Sequence, residues 1–186
     1  MAGRTRRHHR RGSTWAPDVG FSPLGGQGFV GSFLRFDSIQ TDDVFRFYNW
    51  NKGTHFYTAS EAERDDLVAR GGDTFVFEGT AFRGGSEAIA SEEVYRFFNQ
   101  HTQTHFYTAR EGERDELIAH SPFVYEGVAY RAFADDGGGL HTALHRFFNA
   151  ATGTHFYTAF EGEKDAIISA PGSFHYERVA YYVDFA

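Results

Sequence analysis

The chain has 186 residues, 41% of them hydrophobic and 18% aromatic, with 21 Phe, 10 Tyr, one Met and no Cys. That length allows one domain with a sizeable core, and the missing cysteines exclude disulfides, thiolate zinc sites and thiol nucleophiles. The formal net charge is −7, and no run approaches the ~18 to 20 apolar residues of a membrane-spanning helix.

The charge is uneven along the chain. Arg4, Arg6, Arg7, Arg10 and Arg11 lie near the start, and without these five the remainder has 13 basic against 25 acidic residues. An acidic body suits nucleic acid poorly, because phosphate contacts need clustered Lys and Arg. Residues 1–26 read as an unstructured basic arm. The run from Gly12 to Asp18 is not an apolar h-region, so the arm does not read as a secretory signal. Residues 27–186 read as a single domain, and Gly28 to Phe36 resembles an extra strand ahead of its main body.

Three repeats follow, at about 42–85, 92–133 and 142–186. Val44-Phe45-Arg46-Phe47-Tyr48-Asn49 recurs as Val94-Tyr95-Arg96-Phe97-Phe98-Asn99 and as Leu144-His145-Arg146-Phe147-Phe148-Asn149, at steps of 50 residues. Each Asn is followed by Thr-His-Phe-Tyr-Thr-Ala, at 54–59, 104–109 and 154–159. An acidic segment comes next, Glu61 to Asp65, Glu111 to Asp115 and Glu161 to Asp165, and then an aromatic run beginning at Phe75, Phe123 or Phe174. The third copy has Arg178 where the others have Gly79 and Gly127.

Each copy reads as strand, turn, strand, helix, strand. The first two segments are rich in aromatics and Thr, and Asn51-Lys52-Gly53 is turn chemistry between them. Thr58 and Glu61 fit a capping box at the start of a short helix, which would place Leu67 and Val68 on the core. The closing strand has alternating aromatics, and Gly79 suggests a bulge. A unit this small cannot bury its aromatic face alone, so three copies of near-equal length are expected to pack around an axis. The expected fold is mainly β (α+β), closed and pseudo-threefold, trefoil-like or resembling a small propeller.

The combined pattern R-F-[FY]-N, T-H-F-Y-T, E-x-E-[RK]-D and Y-E-G-x-A-Y resembles the lectin-like HFYT repeat family of unknown function found in secreted bacterial and fungal proteins. The resemblance covers roughly residues 42–185. It implies an extracellular setting and an accessory role, with glycan or cell-surface polysaccharide as the partner.

Alternation along Thr-His-Phe-Tyr-Thr puts His55 and Tyr57 on one face and Phe56 on the other. A sugar site needs an aromatic plate and a few planar polar groups. The expected ligand-binding residues are therefore Asn49, His55 and Tyr57, Asn99, His105 and Tyr107, and Asn149, His155 and Tyr157, with the tyrosines stacking. The competing reading makes these residues structural, with Arg46 paired to Glu78 across neighbouring strands. Three histidines meeting on the axis would suit zinc, but no local metal motif is present and no cofactor is expected. Every acid or base occurs three times, and no nucleophile or phosphate-loop motif is found, which weighs against an enzyme. The alternative to a glycan module is an adhesion or scaffold module with a protein partner.

Overall fold

A computed structural model describes residues 42–70, 72, 74–85 and 91–186. The basic arm and the strand expected at 28–36 lie outside the described residues. The first repeat contains β1 (Asp42–Asn49), β2 (Thr54–Thr58), α1 (Glu61–Arg70) and β3 (Phe75–Gly84). The second contains β4 (Ser91–Asn99), β5 (Thr104–Thr108), α2 (Glu111–His120) and β6 (Phe123–Phe133). The third contains β7 (Thr142–Asn149), β8 (Thr154–Thr158), α3 (Glu161–Ser169) and β9 (Phe174–Val183). The structure is mainly β, with the strand-strand-helix-strand order in every copy. No helix among the described residues is long and apolar enough to cross a membrane.

Within each repeat the first strand lies between the other two, giving the order β2-β1-β3 and its counterparts β5-β4-β6 and β8-β7-β9. All pairings are antiparallel. The second and third sheets join through a single pair, Phe133 with Tyr182, into a six-stranded sheet, so the nine strands do not form a closed barrel.

Hairpin geometry follows from the Asn that ends the first strand. The amide of Gly53, Gln103 or Gly153 donates to the carbonyl of Asn49, Asn99 or Asn149 at 2.8, 2.7 and 2.8 Å. The last turn residue must adopt a left-handed backbone. Glycine does so freely at 53 and 153 (φ +62° and +68°), while Gln103 does so as a side-chain-bearing residue at φ 58°.

The bulge expected at Gly79 is present. Arg46 pairs with Gly79 and Phe47 with Phe77, which leaves Glu78 as the extra residue. Glu126 and Glu177 are left out in the same way. Gly79 and Gly127 have φ of +100° and +103°. Arg178 makes the third bulge without a left-handed backbone.

The core has one shared part and smaller clusters within repeats. The shared part gathers Val44, Val94 and Leu144 with Tyr57, Tyr107 and Tyr157, and a second aromatic tier of Phe82, Tyr130 and Tyr181. Phe45, Phe47 and Phe56 pack with Leu67 in the first repeat, and Tyr95, Phe97 and Phe106 with Leu117 in the second. The helices contribute less than the sequence suggests. None of their described residues is fully buried, and Val68, Ile118 and Ile168 are exposed.

The capping box is not formed. Thr58 Oγ1 accepts the amide of Ser60, two residues on, and Ser60 Oγ accepts the amide of Glu63. Thr108 and Thr158 likewise accept the amides of Arg110 and Phe160. Glu61 is exposed and lies near Arg64. Its neighbour Glu63 is the acidic residue with a structural role, as shown below.

Tyr57, Tyr107 and Tyr157 are 1%, 0% and 2% exposed. Tyr107 Oη donates to the carbonyl of Tyr57, Tyr157 Oη to that of Tyr107, and Tyr57 Oη to that of Tyr157, each at 2.8 Å. Tyr107 Oη also accepts the amide of Tyr57, and Tyr157 Oη that of Tyr107, both at 3.0 Å. The rings meet edge to face at 5.7 to 5.9 Å. Burial raises the pKa of all three phenols, so they stay protonated and able to donate.

Tyr107→Phe leaves the buried amide and carbonyl of Tyr57 without these partners. It is expected to lower the unfolding free energy by about 2–4 kcal/mol in urea denaturation. Tyr125→Phe, on an exposed ring, should change it by less than about 0.5 kcal/mol. Equal losses from the two variants would deny the hydroxyl clip its role.

Candidate functional site

The bulge sets the chemistry of the junction between repeats. Arg46 stands opposite Tyr57 in the β1–β2 register, and Tyr48 stands opposite His55. The bulge turns Glu78 toward the same side. Arg46 Nε lies 2.7 Å from Glu78 Oε2, and His55 Nε2 lies 3.2 Å from the same oxygen. His105 and Glu126 are 3.3 Å apart, and His155 and Glu177 3.5 Å.

A second carboxylate comes from the first turn of the helix in another repeat. Arg46 Nη1 lies 3.4 Å from Glu163, Arg96 Nη1 donates to Glu63 at 2.9 Å, and Arg146 holds Glu113 through two bonds of 3.0 and 3.1 Å. Arg96 Nε lies 2.8 Å from Glu126 but off the line a hydrogen bond needs, so that contact is an ion pair alone. Thr108 and Thr158 donate to Glu113 and Glu163 at 2.5 Å. Helix N-termini favour these acidic residues.

The electrostatics follow. Burial disfavours the Arg146 charge, but the hydrogen bonds and charge of Glu113 outweigh it and raise the pKa. Burial would also raise Glu113, but the hydrogen bonds from Arg146 and Thr108 hold it below the usual range. The histidines go the other way. Burial, helped by the Arg96 charge, lowers His105 to about 4. Burial also lowers His155 to about 4, against the pull of Glu177, and lowers His55 against the pull of Glu78. At neutral pH all three are uncharged imidazoles.

Each histidine also faces an aromatic ring of another repeat. His105 meets Phe56 and His155 meets Phe106 at 4.8 Å, and His55 meets Phe156 at 5.2 Å. Beside these contacts lie grooves. One of about 210 Å³ is lined by Phe106, Glu113, Leu117 and Phe123 of the second repeat with Arg146, His155 and Glu177 of the third. Another of about 340 Å³ is lined by the matching Phe156, Ile167 and Phe174 of the third repeat with Tyr48 and His55 of the first. Both have aromatic walls; the larger adds only uncharged polar groups, a lining that suits a small amphipathic ligand, and the smaller adds the Arg146, Glu113 and Glu177 ion cluster.

A family model described as a domain of unknown function, DUF5648, matches residues 33–184. The chain belongs to this family. No curated protein and no solved structure matches it.

In this DUF5648 domain the sequence-predicted residues separate into three kinds. The histidines lie at the junctions, half-buried, beside the grooves. The tyrosines do not. Tyr57, Tyr107 and Tyr157 were expected to stack on a ligand, but they fill the shared core and their hydroxyls are committed to backbone. Alternation puts them on the same face as the histidines, but that face turns inward at the tyrosine. Asn49 Oδ1 accepts the amides of Asn51 and Lys52, Asn99 those of His101 and Thr102, and Asn149 that of Ala151. Their carboxamide oxygens organise the hairpins, and Asn149 also lines the larger groove.

The convergent three-histidine zinc site is not formed, because each histidine belongs to its own junction. Among the described residues no group of three His, Cys, Asp or Glu could hold a metal. Sequence reasoning paired Arg46 with Glu78, as the structure does; it counted Glu63, Glu113 and Glu163 among the polar groups open to a sugar and did not foresee that each pairs with an arginine of another repeat. The recurring E-x-E was the available signal. It also passed over Tyr48 and Trp50.

The lowered histidines make stability depend on pH. Between about pH 6.5 and 4 the unfolded chain binds protons that folded His105 and His155 refuse, so stability rises with pH across that window. Acidification from 6.5 to 4 is expected to cost on the order of 3 kcal/mol per histidine. Urea midpoints at pH 7.0, 6.0 and 5.0 check this, since the loss above pH 5 precedes most carboxylate titration. A His105→Gln/His155→Gln chain should show a flatter profile there, and an unchanged slope would mean the histidines already titrate normally.

Proposed function

We propose that this domain is a non-catalytic carbohydrate-binding module of lectin-like character, acting outside the cell, whose ligand lies in the grooves between repeats. The observation that carries the reading is the lining of those grooves. Aromatic rings and neutral imidazoles face the space in both, and where charged groups join them, as Arg146, Glu113 and Glu177 do in the smaller groove, they are engaged with one another. Sugars present apolar C–H faces and hydroxyl rims, and such a wall meets both.

The same pairing argues against catalysis. A general acid or base works best with a pKa near the working pH, whereas His105 and His155 lie at about 4. The cyclic tyrosine contacts support the finer architectural reading, a pseudo-threefold ring of three small sheets, propeller-like rather than trefoil.

One feature favours a second reading, a scaffold that meets protein. The last strand of each repeat carries Val76, Phe77, Val124, Tyr125, Val128 and Tyr176 at 40–47% exposure. Such exposed apolar side chains suit a broad protein contact.

A glycan array probed with the purified chain separates the two. Binding to neutral glycans is expected for the wild type and should fall at least ten-fold in a folded His55→Gln/His105→Gln/His155→Gln variant. A folded wild type that binds no glycan, together with capture of a protein partner that Phe77→Ser/Tyr125→Ser abolishes, would replace the carbohydrate reading with the scaffold one.

A further inference from the structure

The three junctions share their charged groups but not their rims. The residue after the hairpin asparagine is Trp50 in the first repeat, Gln100 in the second and Ala150 in the third. The residue before that asparagine is Tyr48, Phe98 or Phe148. An indole and a phenol therefore occur together at one hairpin of the three.

That hairpin is firmly held. The Trp50 amide donates to the carbonyl of Thr74 at 3.0 Å, and Asn51 Nδ2 donates to Thr74 Oγ1 at 3.3 Å. The indole on this fixed turn is nonetheless 64% exposed. It meets the edge of Tyr48 at 4.9 Å and 87°, Tyr48 lies 5.1 Å from His55, and His55 lies 5.2 Å from Phe156. Four rings thus run in contact from the surface into the 340 Å³ groove between the third and first repeats. Its volume lies at the low end of small-molecule sites, about 300–1,000 Å³.

The polar part of the lining is neutral. Tyr48, Thr54, Asn149 and Thr154 supply hydroxyl and amide groups, and no Asp, Glu, Lys or Arg is among the described lining residues. Arg46, the arginine that shares Glu78 with His55, is already paired with Glu78 and Glu163. An anionic sugar would lose its hydration there without gaining a counter-charge.

The geometry points to this single groove as the ligand site of the domain, holding a neutral pyranoside whose C–H face lies on the Trp50 indole, with the Tyr48 ring at right angles to it. The inference rests on the carbohydrate reading above and replaces three equivalent sites with one. The other two junctions then serve the fold.

Trp50 reports on its own site. The chain has two tryptophans, so Trp15→Phe leaves Trp50 as the sole indole. That full-length chain is titrated with cellohexaose, chitohexaose and mannohexaose, and with hexagalacturonate as the anionic probe, by tryptophan emission and calorimetry. The expected result is a blue-shifted or quenched emission with at least one neutral probe, one site per chain, and at least ten-fold weaker binding after Trp50→Gln. Because the indole is exposed, Trp50→Gln should leave the melting temperature within about 2 °C. Three sites per chain, or neutral-sugar binding that Trp50→Gln leaves intact, overturns the single-site assignment while the carbohydrate reading stands. Preference for hexagalacturonate overturns the neutral class. Silence with every probe and on the glycan array removes the carbohydrate reading and this site with it.

Discussion

The fold depends on how three short edge strands meet. β2, β5 and β8 have five residues each, and each pairs on one side only. Their other edges face one another in the shared core, where water cannot satisfy the backbone. An unpaired buried amide or carbonyl costs about 1–3 kcal/mol. A fourth strand would solve this in an ordinary sheet. Here a tyrosine hydroxyl does it, since one oxygen both accepts an amide and donates to a carbonyl. Tyr107 does both for Tyr57, and Tyr157 does both for Tyr107. The tyrosine is therefore core and clip together, and its burial is what keeps the phenol protonated for the task.

The same closeness of repeats explains the charges. Each arginine lies one strand away from its tyrosine and takes one carboxylate from its own bulge and one from a helix of another repeat. Arg146 is almost fully buried, and such a charge persists only with excellent geometry around it. Two bonds to Glu113 and one to Glu177 supply that geometry. The ring stacked beneath adds to it, with Arg146 lying 5.0 Å above Phe106. No repeat completes its own cluster, so the unit that folds is the set of three. The histidines inherit their neutrality from this arrangement. They sit in the low-dielectric wall beside a fixed cation, and protonation there is disfavoured.

Much of this was legible in the sequence. The period of 50, the hairpin asparagines, the strand-strand-helix-strand order and the bulge at Gly79 all followed from residue types with direct backbone consequences. The Arg46–Glu78 pair followed from adjacency of strands. Burial was harder. Alternation told that His55 and Tyr57 share a face, but two residues are 6–7 Å apart along a strand, far enough for one to line a groove and the other a core. The Thr58 to Glu61 spacing imitated a capping box, but Thr58 takes the amide of Ser60, Glu61 stays exposed near Arg64, and the carboxylate the junction uses is Glu63. The pairing of Glu63 was not legible because its partner, Arg96, is 33 residues away in another repeat.

Trp50 escaped for a different reason. A search for recurring residues finds what each copy must do to fold, and in this chain that includes Arg, Glu, His, Tyr and Asn. Selection for packing acts on all three copies alike, so it keeps them alike. A ligand that needs one site places no such demand on the other two copies, and the positions that serve it are free to differ. Gln100 and Ala150 stand in the same turn as Trp50 without disturbing it: the Ala150 amide donates to Ser173 at 2.8 Å much as that of Trp50 donates to Thr74. The side chain at this position is thus not required by the turn. An exposed indole there forgoes the burial that would stabilise the chain, which is why function in a symmetric domain is better sought where the symmetry breaks than where it holds.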